Sequence, residues 1–451
     1  MTTSLFQHQS LTSKNFKMKK TVLNIILLFA IFIAKAQETI YPAQAQSQII
    51  VLTNATIHIG NGEVIENGTI IFDKGKIVNV GKGLAFPDNA KVIDCTGKHI
   101  YPGLIESQSN LGLDEIDAVR ATLDNRELGD INTNVRSVIA YNSDSKIIGT
   151  LRANGILLAN VVPEGGIISG SSSVMQLDAW NWEDAAYKID NGIHFRVPNL
   201  APGRGRRGGG RGLTAGETDP IKAAMDRIDN VRKFFTEARA YLAEAKHEHT
   251  NLKFEAVKGL FDKTQIFYAH AELVKEILVA VDFAKEFGFK TVIVGGSDCW
   301  RIADVLKDNN IAVILNQMHS LPLTQDDDVD QPYKTPYQLQ QAGVLFAISD
   351  THEETRGRNL MFNAGVAAAY GLTKEQALQA ITLNAAKVLG IDATTGSLEK
   401  GKDANIVVCN GDILDPQTSI IFHAFIQGRD VSLENKQTQL YDRYKTKYGI
   451  K

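Results

Sequence analysis

From about residue 100 to residue 350, short apolar runs alternate with longer stretches of helical periodicity, and this restricts the fold more than any other feature. The runs at 100–105, 155–162, 265–269, 291–294, 312–316 and 344–349 are read as strands. Several are continuously apolar, as strands covered on both faces must be. Between them, 271–287 places Leu273, Ile277, Ala280, Val281, Ala284 and Phe287 on one helical stripe. The stretch 374–389 reads the same way, entered at Leu372-Thr373 and closed by Gly390. Strands alternating with helices make parallel βα units. The span 101–396 suits an α/β fold with a (β/α)8 barrel of TIM type, which takes roughly 250 residues before insertions.

The flanks have a different texture. Ile49-Ile50-Val51-Leu52, Ala55-Thr56-Ile57-His58-Ile59, Thr69-Ile70-Ile71-Phe72 and Lys76-Ile77-Val78-Asn79-Val80 are short strands separated by Gly, Asn and Asp turns. Asn405-Ile406-Val407-Val408 and Ile420-Ile421-Phe422-His423-Ala424-Phe425 repeat that texture near the other end. Sheet edges seek partners, so 37–100 and 397–451 are expected to join as a small composite β-sandwich. Inside the barrel span, the Arg/Gly-rich insertion 202–212 has no side chains with which to build a core. A long helix then starts at Asp219-Pro220, with Ile221, Met225, Ile228, Val231, Phe235 and Leu242 on its apolar face.

Met18-Lys19-Lys20, the apolar stretch 22–33 and Ala34-Lys35-Ala36 have the three parts of a signal peptide. The apolar run, about 12 residues, falls short of the ~20 a spanning helix needs. Segment 1–36 is therefore read as a cleaved leader, with Met18 as an alternative start, and the mature protein as periplasmic or extracellular. An uncleaved anchor or a buried helix is the competing reading. No Cys stands directly after the cleavage point, which argues against a lipid anchor there, and Cys95, Cys299 and Cys409 are too few and scattered for a disulfide framework. A net charge of -3 in an exported chain argues against a nucleic-acid partner.

Three stretches carry a family likeness: Asp94-Cys95-Thr96-Gly97-Lys98 with Tyr101-Pro102-Gly103-Leu104-Ile105-Glu106, Ala347-Ile348-Ser349-Asp350, and Gly396–Asn405. With Thr382-Leu383-Asn384-Ala385-Ala386 they resemble the amidohydrolase superfamily, in its imidazolonepropionase-like branch. The resemblance implies a metal-bearing barrel mouth at which activated water cleaves carbon–nitrogen bonds. It makes His270 the fifth-strand ligand, and Asp350 the eighth-strand residue that binds metal and takes the proton of the attacking water. It also implies His-x-His after the first strand, where this chain has Gln108 and Asn110. The sixth-strand His would fall near Gly295, and no counterpart of the bridging Lys or Glu of two-metal members stands out.

In a parallel barrel the C-terminal ends of the strands converge on one mouth. By that rule Asp350 and His270 are the candidate catalytic residues. His270, Asp350, His319 and His352 are the candidate metal ligands, for at most one divalent ion, zinc before others, or none. Gln108 and Asn110 are candidates for substrate hydrogen bonding, because neutral amides are weak zinc donors. His247-Glu248-His249 is read as a solvated helix end, Asp326-Asp327-Asp328 with Asp330 as a solvated loop, and Ser169-Gly170-Ser171-Ser172 as a loop. Two functions follow: a hydrolase of amides or cyclic amides, or a metal-free barrel that binds without chemistry. A homo-oligomer or a related barrel partner stays open.

Overall fold

Turn residues at fixed intervals make the N-terminal segment a meander. In the computed structural model, which describes residues 41–116, 118–201, 219–316, 318–324, 326–350 and 357–450, β1 (Ile50–His58), β2 (Val64–Asp73) and β3 (Lys76–Gly81) pair antiparallel. Lys74 and Gly75 take positive φ in the β2–β3 turn, a conformation Gly adopts at no steric cost. β4 (Lys91–Asp94) and β5 (His99–Pro102) run parallel to β1. The leader 1–36, the insertion 202–212 and His352 lie outside the described residues.

The run at 100–105 is not one strand. It breaks at Gly103, whose amide donates to the Asn405 carbonyl at 2.9 Å, and a Cβ there would strike Leu157. Beyond the break the chain enters a second sheet of eight strands: β6 (Leu104–Ser109), β7 (Ile156–Val161), β8 (Ile168–Gln176), β9 (Ala186–Arg196), β10 (Ile266–Ala271), β11 (Thr291–Gly295), β12 (Ala312–Leu315) and β13 (Phe346–Ile348), hydrogen-bonded in that order. This is the expected barrel, with one departure. β8 runs antiparallel to both neighbours, while the other pairs are parallel. Ser169-Gly170-Ser171-Ser172 therefore sits in a buried strand rather than a loop. Its small polar residues carry no apolar periodicity, which hid it from the sequence pattern.

The barrel closes between β13 and β6 through side chains. Glu106, fully buried, accepts from the Gln108 amide at 3.2 Å, the Asp350 amide at 3.1 Å and the Ser349 hydroxyl. The helical stretch 374–389 is two helices, Lys374–Ala380 and Leu383–Leu389. At the break, the Ile381 carbonyl accepts from the Ile105 amide at 2.9 Å, so the interruption serves the barrel seam.

β14 (Ile406–Cys409), β15 (Ile421–Ile426) and β16 (Arg429–Asp430) complete the first sheet, β14 pairing antiparallel with β5. The terminal segments thus share one continuous eight-stranded sheet. It wraps a core that includes Leu52, Ile57, Ile70, Ile406 and Phe425, and Phe72 meets Phe425 edge-on with centroids 5.0 Å apart. Each such side chain contributes about 1.5–3 kcal/mol when fully buried.

Packing outside the barrel fixes the strands that matter for the site. Residues of β9 and β10 alternate faces: Phe195 and Phe267 point outward and stack at 5.6 Å. They join Phe235 of helix Pro220–Leu242 and Phe283 of helix Val274–Phe287. The inward positions are therefore His194, Arg196, Tyr268 and His270.

Candidate functional site

At the C-terminal ends of the parallel strands lies a cavity of about 800 Å³. β6 contributes Gln108 and, just beyond it, Asn110; β9 contributes Arg196; β10 contributes His270, followed by Glu272; and Asn316 comes from the end of β12. Its wall includes Glu164 from the β7–β8 turn and Asp114, Asn125 and Arg126 from the loop after β6. The cavity brings Gln108, Asn110 and His270 together.

Asp350 does not line this cavity. It is 5% exposed, tied to the β6 end through Glu106, and its Oδ2 accepts from Asn363 at 3.0 Å. His319 is exposed, with its ring edge-on to Tyr333 at 5.8 Å. The other acidic and histidine clusters are occupied locally. Asp327 pairs with Arg301, Asp328 and Asp330 flank Lys334 at 3.0 and 2.7 Å, and His247 stacks on Tyr241 at 3.7 Å.

The residue that sequence reasoning missed is His194. In the β9–β10 ladder His194 stands opposite Tyr268, and Arg196 opposite His270. The His194 ring lies flat on Tyr268, centroids 4.6 Å apart and planes 12° apart. Its Nδ1 is 2.9 Å from Nε2 of His270. Asn191 donates to the Tyr268 hydroxyl at 2.8 Å, while a Cβ at Gly192 would run into the Tyr268 ring and the Ile266 carbonyl. Burial, with the Arg196 charge beside them, holds both imidazoles well below the usual histidine range. Both are neutral near pH 7. The signal was present in Gly192-Ile193-His194-Phe195-Arg196, where polar and apolar residues alternate with period two.

Arg196 is the unspent charge. Its half-buried guanidinium has neither hydrogen bond nor ion pair among the described residues, and burial lowers its pKa. The carboxylates on the wall are engaged. Asp114 accepts from Asn110 and, at 2.7 Å, from Asn125. Glu164 pairs with Arg126 at 2.9 Å. Glu272 accepts from the Ser297 hydroxyl at 2.6 Å, although burial still raises its pKa. Glu276 accepts three backbone amides at the start of helix Val274–Phe287.

The amidohydrolase family model matches residues 339–432. Imidazolonepropionase of Mesorhizobium japonicum is 25% identical over 374 residues, 76% of this chain and 87% of that protein. The 5'-deoxyadenosine deaminase of Methanobrevibacter smithii is 23% identical over 76% of this chain and 79% of its own length. The solved amidohydrolase from Thermotoga maritima superposes with a TM-score of 0.73 at 24% identity, covering 85% of this chain and 99% of that one. These likenesses support the amidohydrolase superfamily as the family this chain resembles. Within it, the similarity runs to the imidazolonepropionase-like branch.

Members of this superfamily generally use a metal, so the donors present were tested against one. Catalytic zinc takes three protein ligands and keeps an open position. Among the described residues no group of three or more His, Cys, Asp or Glu side chains is arranged to hold an ion. Gln108 and Asn110 offer neutral amides, and Asn110 is committed to Asp114. At Gly295, near where the resemblance would place a sixth-strand ligand, the Glu272 carboxylate fills the space a side chain would need. The described donor set does not fit zinc.

Proposed function

We propose that this chain is a hydrolase of non-peptide carbon–nitrogen bonds, acting on a small amide or cyclic amide in the barrel-mouth cavity. The observation that carries the reading is that cavity: about 800 Å³ at the catalytic end of an amidohydrolase barrel, with a neutral His270 and a charged Arg196 on its wall. His270 donates a hydrogen bond to the carbonyl oxygen of the bond to be cleaved. Arg196 meets a negatively charged part of the same molecule. The base the resemblance supplies is Asp350, beyond the end of β13 and off the cavity wall, so it takes the proton of the attacking water, and returns it to the leaving nitrogen, through one intervening water. No step is routed through a metal. The chain acts as an exported protein, released near Ala36 into the periplasm or medium.

One observation favours a second reading, a barrel that binds a small molecule or a related barrel without chemistry: the donor set does not fit zinc. A single experiment separates the two. The purified mature protein is assayed on amides, lactams and aminopurines, with and without added zinc or manganese, beside Asp350→Asn and His270→Ala. Turnover that falls at least 100-fold in both variants supports the hydrolase. Binding of panel members without turnover under any metal condition replaces it with the second reading. Edman sequencing of the secreted form should begin at Gln37, and retention of residues 1–36 would sink the export proposal.

A further inference from the structure

We infer that His194 is a positioning residue that converts His270 from a metal ligand into a hydrogen-bond donor aimed at the cavity. The role of His270 toward a substrate carbonyl rests on the hydrolase reading; the arrangement of the two rings does not.

Two ring nitrogens 2.9 Å apart share a single proton: one donates and the other accepts. The remaining nitrogen of His194, Nε2, is buried with no partner among the described residues. Either tautomer leaves that nitrogen unsatisfied, and an orphaned buried N–H is the rarer of the two in folded interiors. The tautomer that avoids this puts the His194 proton on Nδ1, donated to Nε2 of His270. The proton of His270 then sits on its own Nδ1. His270 lines the cavity, so its ring offers the cavity an N–H rather than a lone pair.

His194 cannot turn away from this duty. It is 1% exposed, its ring lies flat against Tyr268, and Tyr268 is pinned by Asn191. The room for that stack comes from Gly192, where a side chain would collide with the Tyr268 ring. A metal in the cavity would need the lone pair of His270 Nδ1, which moves the His270 proton to Nε2, reverses the bond to His194 and strands an N–H on the buried His194 Nε2. The replaced first-strand pair and the glycine at the sixth strand are consistent with the same loss. In this chain the fifth-strand histidine has been reassigned.

Nitrogen NMR of histidine-labelled protein at pH 7.5 tests this without requiring turnover. Expected for the wild type is a His270 protonated on Nδ1 with Nε2 bare and hydrogen-bonded. His194→Phe keeps the stack on Tyr268 but removes the donor, and His270 should become a mixture of both tautomers. His194→Gln returns an N–H donor and should restore the single tautomer, a rescue that a merely space-filling role would not produce. In parallel, dialysis of the wild type against micromolar zinc should leave well under one ion per chain that depends on His270. A wild-type His270 protonated on Nε2 overturns the inference, as does one zinc per chain lost in His270→Ala. Both wild-type measurements stand even where a variant does not fold. A confirmed tautomer with no hydrolysis would overturn the hydrolase reading alone.

Discussion

On the β6 side of the cavity, Asn110 and Asn125 both donate to Asp114, and Glu106 collects one donor from its own strand and two from across the barrel seam. On the β9–β10 side, Arg196 has no hydrogen bond or ion pair from its guanidinium among the described residues, and His270 has committed one nitrogen to His194. The β6 side holds a polar network of the kind that rigidifies a fold, although Gln108 Oε1 is buried without a partner among the described residues. The β9–β10 side keeps an unspent charge and an unspent donor, at the energetic expense of burying both. Polar groups left unsatisfied in a folded wall point to a ligand, whereas saturated ones point to stability.

The largest expected effect is at the seam. Glu106→Leu leaves the Gln108 and Asp350 amides without their acceptor and the Ser349 hydroxyl with only the Gln108 carbonyl, and should cost about 3–5 kcal/mol. Urea unfolding measures it, and a loss below about 1 kcal/mol would mean the barrel is not closed there. Asp114→Ala, on the same side, strands two amide donors and should cost roughly 1–3 kcal/mol, with ligand affinity nearly unchanged. Arg196→Gln should do the reverse. Its stability should stay within about 0.5 kcal/mol of wild type, while affinity for acid-bearing amides falls at least about tenfold relative to their methyl esters. A fall in melting temperature without loss of discrimination would place Arg196 with the structural residues.

Two smaller effects sharpen the contrast. The two imidazoles have depressed pKa values in the fold and ordinary ones near 6.5 when unfolded. The unfolded chain therefore binds more protons below that pH. Their contribution is complete above about pH 6.5 and is lost as pH falls toward the depressed values. His194→Phe should flatten that part of the stability–pH profile, and an unchanged slope would show that other groups set it. Finally, Gln108→His with Asn110→His rebuilds the first-strand pair yet should still bind less than one zinc per chain by elemental analysis. The bond from His194 still holds the His270 proton on the cavity-facing Nδ1, and the space at Gly295 stays filled by Glu272. Full occupancy in that double variant would show that the lost imidazoles were the whole difference.

The legible parts of the fold were those with a strong period. Strands β10 to β13 are apolar runs punctuated by helices with clear stripes, and they were readable before any coordinates. β8 and β9 were not, because Ile168–Gln176 is rich in serine and Ala186–Arg196 opens with polar residues. Neither stretch looks like a strand buried on both faces. The site divided along the same line. His270 and Gln108 were found because they end recognisable strands, while His194 and Arg196 were passed over because their strand was. Asp350 was read as facing the mouth, but its partners Glu106 and Asn363 come from distant parts of the chain and no local pattern signals them.

The reversed direction of β8 has a consequence for how the molecule assembles. A parallel pair closes only after a crossover of a dozen or more residues, whereas an antiparallel pair closes through a turn. Reversing one strand turns two distant closures into neighbouring hairpins, β7–β8 and β8–β9. Local pairing of that kind is the quicker event. The meander can therefore form early and offer a ready edge on β9, onto which β10 docks and brings His270 within hydrogen-bond reach of His194.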